Sequence, residues 1–273
     1  MIHSEAYAAT AFIFLFYHIA NYAMQVLFYY RRRDDEHAWK AQPNVAPRAA
    51  PQRDWVPWLP LLEPLGFVKP GAPRYPLGWL LATVNICIGS AAAGVTAELV
   101  MRNASHLQFD QFVWQRDLLG IALACTIEQV VEYVWHRAMH TAWLYAHMHR
   151  IHHANRAPSP FDDMLIHPLE GAGYYCILYS PAFLVNMHFS GFLVYMSIMG
   201  LCGVIDHCGV ALSVPGLYDS VDHDNHHKFN IVNYSVPFPF MDMLFGTYQG
   251  RFLGREFKPW ARAGLLVPKA IQE

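Results

Sequence analysis

Apolar residues fall in long runs along this chain rather than in the short alternations of a soluble domain. From Tyr7 to Tyr30 almost every residue is apolar or aromatic, about the ~20 residues a helix needs to cross hydrocarbon, and the run ends at Arg31, Arg32 and Arg33. The basic residues follow the run, and no small-x-small site closes it, so it reads as a retained signal anchor rather than a cleaved signal peptide. A second run, Leu77 to Val100, and a third, Leu118 to Trp135, are separated by a polar segment with Asn103, His106, Gln108 and Asp110, and predict an antiparallel pair of spans. Gly171 to Val204 is long enough for two short helices and a turn around Asn186, Met187 and His188, a membrane hairpin. The expected fold is all-α: a multi-pass membrane bundle of about four spans, the last as a short hairpin.

The segment from Arg31 to Pro76 holds Arg48, Arg53, Lys69, Arg74, Trp55, Trp58 and many prolines. It reads either as an irregular stretch against the headgroups or as a solvated Pro-rich linker. Its basic residues place it in the cytoplasm by the positive-inside bias, and each later pair of spans returns the chain to that side. The polar, histidine-bearing segments then face the cytoplasm together, as a helical cap on the bundle.

Composition sharpens this picture. The 273 residues are 54% hydrophobic and only 15% charged, which points to a membrane, and a net charge of -2 without long charged blocks argues against a nucleic-acid partner. Five cysteines, Cys87, Cys125, Cys176, Cys202 and Cys208, lack CxxC spacing and read as small apolar residues, not a disulfide framework. Histidine is the anomaly: most of the 16 lie between His136 and His227.

Glu128, Glu132, His136 and His140 are spaced by four and would form one stripe running to the end of the third span. His149, His152 and His153 are spaced i, i+3, i+4, one face of a helix, and His223, His226 and His227 repeat the arrangement. His167 and His207 each lie where a predicted span meets the cytoplasm. These ten imidazoles suffice for two metal sites. Imidazole suits Fe, Zn, Cu or Ni; a set without thiolate argues against a closed structural zinc cluster, and a redox metal with open positions favours iron and dioxygen. His3, His18, His37, His106 and His188 read as ordinary core or surface residues. His147 lies about 200° around a helix from His149 and is left out of the ligand set. Glu128 and Glu132, costly inside a span, are expected to orient histidine N–H groups. Asp206, Asp222, Asp224 and Asp242 read either the same way or as solvated loop acids.

Through the HxxxH of His136 to His140 and the HxxHH motifs at His149 and His223, the sequence resembles the sterol desaturase and fatty acid hydroxylase superfamily. Tyr133-Val134-Trp135-His136-Arg137, His167-Pro168-Leu169-Glu170, Asp206-His207-Cys208-Gly209, Asn233-Tyr234, Met241-Asp242 and Phe245-Gly246-Thr247 extend the likeness from about Glu128 to Tyr248. Asp222 stands where several members carry a further histidine, and Met241 where a Trp is usual. The resemblance implies two iron ions held by the ten histidines, with zinc able to replace them in a preparation, and dioxygen as co-substrate. It implies electrons from cytochrome b5 or a similar carrier and hydrogen abstraction from a lipid C–H bond, in the endoplasmic reticulum membrane or, in a prokaryote, the inner membrane. The expected product is a hydroxylated fatty acyl, sphingoid or sterol lipid, with sterol desaturation or methylsterol oxidation as alternatives. Three regions follow: a membrane anchor with its Pro-rich loop over 1–116, a hydroxylase-type catalytic domain over 117–250, and a polar tail over 251–273. A metal transporter is the alternative of another class, but it calls for polar groups aligned through several spans, where this chain has chiefly Glu128 and Glu132.

Overall fold

The computed structural model describes residues 2–43, 45, 76–103 and 111–260. Among them, four helices are long and apolar enough to cross a membrane, and the chain is a multi-pass membrane protein. The first, α1 (Ser4–Met24), continues as a π-helical turn, Gln25–Tyr30. It is followed by α2 (Pro76–Asn103), α3 (Trp114–Met139), the short α4 (Ala142–His147), α5 (Pro168–Tyr179), α6 (Phe189–His207), α7 (Ser220–Phe229) and α8 (Phe240–Phe245). Two small antiparallel hairpins, β1 (Ser213–Val214) with β2 (Tyr218–Asp219) and β3 (Gly250–Phe252) with β4 (Arg255–Phe257), are the only strands among the described residues. The second begins where the sequence predicts a plain polar tail. Most of the Pro-rich loop, with Arg48, Arg53, Trp55, Trp58, Lys69 and Arg74, lies outside the described residues, as does His106.

The spans pack on small residues. α1 lies along α2, with Ala6, Ala9, Ala93 and Ala97 buried between them. A Cβ placed on Gly94 would come within 2.8 Å of the Ala6 carbonyl oxygen, so only glycine allows this approach. Gly94→Leu is expected to push the pair apart and destabilise the protein by about 1–3 kcal/mol, seen as a lower melting temperature in detergent. On the outer side, Leu80, Val84, Ile88, Val95 and Leu99 of α2 are exposed in one stripe, and Leu119, Leu123, Val130 and Val134 of α3 are likewise bare. Such surfaces would be costly in water and suit lipid.

α5 is only 12 residues long, about 18 Å, and continues through Ser180 into a short helical turn, Pro181–Leu184. With α6 it forms the expected hairpin, whose turn is pinned to the start of α3 by Asp117: this buried carboxylate accepts from the main-chain N–H groups of His188 and Val113. At the opposite end the chain is tied across. Tyr29 donates to the Cys208 carbonyl (2.7 Å), joining the end of α1 to the end of α6. Asn85 of α2 donates to the carbonyls of Met164 and Ile166, both at 2.9 Å, and Tyr175 of α5 donates back to the Asn85 carbonyl. The end of α1, the start of α2, the ends of α3 and α6 and the start of α5 therefore surround one place. There the segments rich in histidine collect.

Candidate metal centre

Nine of the ten predicted histidines come together in two adjoining groups. His136, His140, His149, His153 and His226 form the first, and His152, His207, His223 and His227 the second; within each, one ligand atom per residue lies within 4.8 Å of all the others. All nine are buried, and the groups touch where the rings of His153 and His227 lie 4.6 Å apart.

The local chain explains the sorting. His136 lies in the last turn of α3 and His140 caps its end, so a spacing of four brings both to the first group. The HxxHH segments do not present single faces. His149–Ala154 is a 3-10 turn that sends His149 and His153 to the first group and His152 to the second. α7 sends His226 to the first and His223 and His227 to the second. Adjacent residues point in well-separated directions around a helix, so each His-His pair straddles the boundary between the groups.

His167 is not among them. It caps the N-terminus of α5, its Nδ1 accepting from the Leu169 N–H at 3.2 Å, and is partly exposed. Three residues on, Glu170 turns inward, and its Oε1 lies 2.5 Å from His149 Nδ1. The expectation that Glu128 and Glu132 orient imidazole N–H groups is thus met by a different carboxylate. The four aspartates act further out. Asp242 accepts from the N–H groups of Tyr234 (2.9 Å) and Ser235 (2.6 Å), fixing the loop whose Tyr234 carbonyl meets His136. Asp206 accepts from Tyr218 and Asp222 from Tyr248, while Asp224 is buried on α7. His147, left out by its angle, is exposed, with Nδ1 toward the Trp143 carbonyl. His3 pairs with Glu98, and His18 and His188 meet neighbours on their own helices.

The donor set has a defined polarity. Nδ1 of His136, His207 and His226 faces the carbonyls of Tyr234 (2.7 Å), Gly203 (2.8 Å) and Val232 (2.6 Å), and that of His149 faces Glu170. These partners only accept, so Nδ1 carries the proton, and in the neutral ring Nε2 turns a lone pair into its group. Four Nε2 atoms of the first group form a closed ring. His140 to His149 and His149 to His153 are 3.0 Å apart, and His153 to His226 and His226 to His140 are 3.1 Å. His149 and His226 present lone pairs at opposite corners. Even with protons on Nε2 of both His140 and His153, two hydrogens cannot bridge four contacts. A cation relieves all four at once, and nitrogens this far apart match neighbouring ligands held ~2.1 Å from one ion. In the second group, His207 Nε2 lies 2.8 Å from His223 Nε2 and 3.1 Å from His152 Nε2.

Burial, and then the charge of neighbouring imidazoles, holds His140, His152, His153, His223, His226 and His227 well below the ordinary imidazole pKa. The neutral form favoured this way is the one that binds metal. Glu170→Gln keeps the size of the side chain but weakens the acceptor for His149. It is expected to lower metal affinity about 10- to 100-fold, read by competition with a chelator.

A cavity of about 60 Å³ opens beside both groups, between α3, α5 and α6. His136, His149, His152, His207 and His223 line one side, and Trp135, Met139, Ile166, Tyr174, Met199 and Val236 supply apolar walls. The histidines thus border a pocket set directly on the membrane helices.

Residues 121–247, which contain all nine grouped histidines, match the fatty acid hydroxylase family. Methylsterol monooxygenase 2-2 of Arabidopsis thaliana is 32% identical over 180 residues, covering 62% of this chain and 65% of that protein. Methylsterol monooxygenase 2-1 of the same plant is 30% identical over 147 residues, 45% of this chain and 53% of its own length. Very-long-chain aldehyde decarbonylase GL1-11 of Oryza sativa subsp. indica is 34% identical over 132 residues, 44% of this chain and 49% of its own. The chain therefore spans 65% of the first relative and about half of the other two. No solved structure matches. Both histidine groups thus lie inside the segment that is similar to the fatty acid hydroxylase family.

Proposed function

We propose that the chain is an oxygen-dependent lipid oxidoreductase that hydroxylates a fatty acyl, sphingoid or sterol substrate at a two-iron centre. The observation that carries this reading is the pair of adjoining, buried, all-imidazole groups bordering a pocket on the membrane helices. His136, His140, His149, His153 and His226 hold one ion and His152, His207, His223 and His227 the other. Bound there, iron supplies the reduction of dioxygen and the oxidation of an unactivated C–H bond.

The chain's own residues do the rest. Glu170 and the carbonyls of Gly203, Val232 and Tyr234 fix which nitrogen of His149, His207, His226 and His136 faces the metals. Trp135, Ile166 and Met199 keep water from the pocket and offer an apolar surface to a hydrocarbon. The buried position of the groups at the end of the bundle suits a lipid that reaches them from the bilayer. Hydroxylation, desaturation and repeated oxidation of a methyl group all begin with loss of a hydrogen atom, so the methylsterol oxidase alternative uses the same residues. Cytochrome b5 or a similar carrier is the electron donor in this reading, and the endoplasmic reticulum its membrane, with a bacterial inner membrane in a prokaryote. The grouping of nine imidazoles in one core, rather than along the spans, counts against ion transport.

The test is turnover by purified, iron-loaded protein in lipid nanodiscs with a reduced electron carrier. An oxidised lipid carrying label from ¹⁸O₂ supports the proposal. Reductant consumed with no lipid product from acyl, sphingoid and sterol substrates alike contradicts it.

A further inference from the structure

The pocket is not wholly apolar away from the histidines. Glu132, Asp163 and Glu170 also line it, and only Glu170 is engaged with an imidazole through a short hydrogen bond. Asp163 lies on the 3-10 turn Asp162–Met164, facing α6, with its side chain only 10% exposed. Its Oδ1 is 3.4 Å from His207 Nδ1, too long for a good hydrogen bond, and that nitrogen already donates to the Gly203 carbonyl at 2.8 Å. Its Oδ2 is buried without a partner. The fold makes room for this oxygen: a Cβ on Gly203 would lie 2.9 Å from it, so α6 is left bare there.

A buried acceptor without a donor is unfavourable, and a plain methylene chain filling this pocket would leave it so. A lipid that brings its own O–H or N–H group would satisfy it. We propose that Asp163, with Glu132 across the same pocket, binds a hydroxyl or amine of the lipid, a few bonds from the carbon presented to the histidine groups. This rests on the lipid-oxidoreductase reading and narrows its substrate class: lipids substituted with a polar donor next to the reacting carbon, not unsubstituted acyl chains. Both carboxyls and five of the imidazoles open onto the same small space, so donor and reacting carbon cannot be far apart along the substrate. The competing role for Asp163 is to hold His207 alone, and that role predicts a loss of metal rather than a loss of lipid preference.

The test is equilibrium binding of labelled lipids to zinc-loaded protein in nanodiscs, a readout that needs no turnover. The probes are a 4-methylsterol against its 3-deoxy analogue, and octadecylamine against octadecane. The wild type is expected to bind the donor-bearing member of at least one pair about tenfold or more tightly. Asp163→Leu is expected to bring that ratio close to one with zinc content unchanged. Asp163→Asn, a milder change, keeps a preference for the hydroxyl but loses one for the ammonium, and so distinguishes the two donors. Equal binding within both pairs, a preference that survives in Asp163→Leu, or zinc lost from both variants overturns the proposal. Failure to bind any of the four lipids overturns the lipid reading beneath it as well.

Discussion

Replacing His226 with alanine is expected to remove the metal of the first group and abolish lipid turnover. His226 closes the ring of four nitrogens, 3.1 Å from both His140 and His153, and its Nδ1–H is committed to the Val232 carbonyl. The residue is fully buried, so its loss leaves a hole beside His140 and His153 that no other side chain is placed to fill. Loss of an orienting partner alone weakens metal binding by about 10- to 100-fold, and loss of the ligand itself costs more. Metal content should therefore fall from roughly two ions per chain toward one: the first group keeps His136, His140, His149 and His153 but loses a corner of its closed ring, while the second keeps all of His152, His207, His223 and His227. His227→Ala is expected to do the converse. His147→Ala serves as the control: it lies in the same stretch of sequence but is exposed, and both metal content and turnover should stay at wild-type levels. Equal metal loss in His226→Ala and His147→Ala would show that the grouping has no part in binding.

Acidification is expected to have the next largest effect. Six imidazoles outside the spans, His140, His152, His153, His223, His226 and His227, have folded-state pKa values depressed by burial and by one another. In the unfolded chain the same groups titrate near 6.5. Above that value both states hold them neutral and they contribute no pH dependence. As pH falls below about 6.5 the unfolded chain takes up protons that the fold refuses, so stability declines by up to about 1.4 kcal/mol per pH unit for each imidazole. Bound metal also requires the neutral rings and is displaced in the same direction. Metal-free protein should show a flat melting temperature between pH 7.5 and 8.5 and a steep fall between pH 6.5 and 5. Metal-loaded protein should resist to lower pH and then release its ions as it unfolds. A melting temperature that rises on acidification would contradict the burial of these rings as neutral groups.

Much of this architecture is legible in the sequence because hydrocarbon imposes length and composition on each span. The runs ending near Tyr30, Val100 and Trp135 correspond to long helices, and the hairpin turn falls at Asn186 to His188. The histidine set is legible for a related reason: spacing of four or three along a helix brings side chains together whatever surrounds them. What spacing does not show is how neighbours divide. His152 and His153 are adjacent in the chain, yet they serve different groups, because the division depends on where the 3-10 turn sits against α6 and α7. His167 is the converse case. It begins the motif-like string that ends in Glu170, but the proline after it starts α5 and turns its ring into a cap, while Glu170 one turn on reaches His149. Asp163 gives no signal at all in the sequence, since Asp162-Asp163 looks like any solvated loop pair. The packing of that turn against α2 and against the bare surface of Gly203 on α6 buries it.

In the proposed reading, two imidazole-bound metal ions occupy the histidine core. Elemental analysis of protein purified without chelator, paired with X-ray absorption at the metal edge, tests it most directly. About two ions per chain are expected, with a first shell of nitrogen and oxygen and no sulfur. Folded protein that retains no metal after incubation with ferrous iron or zinc, or a shell containing cysteine sulfur, would contradict it.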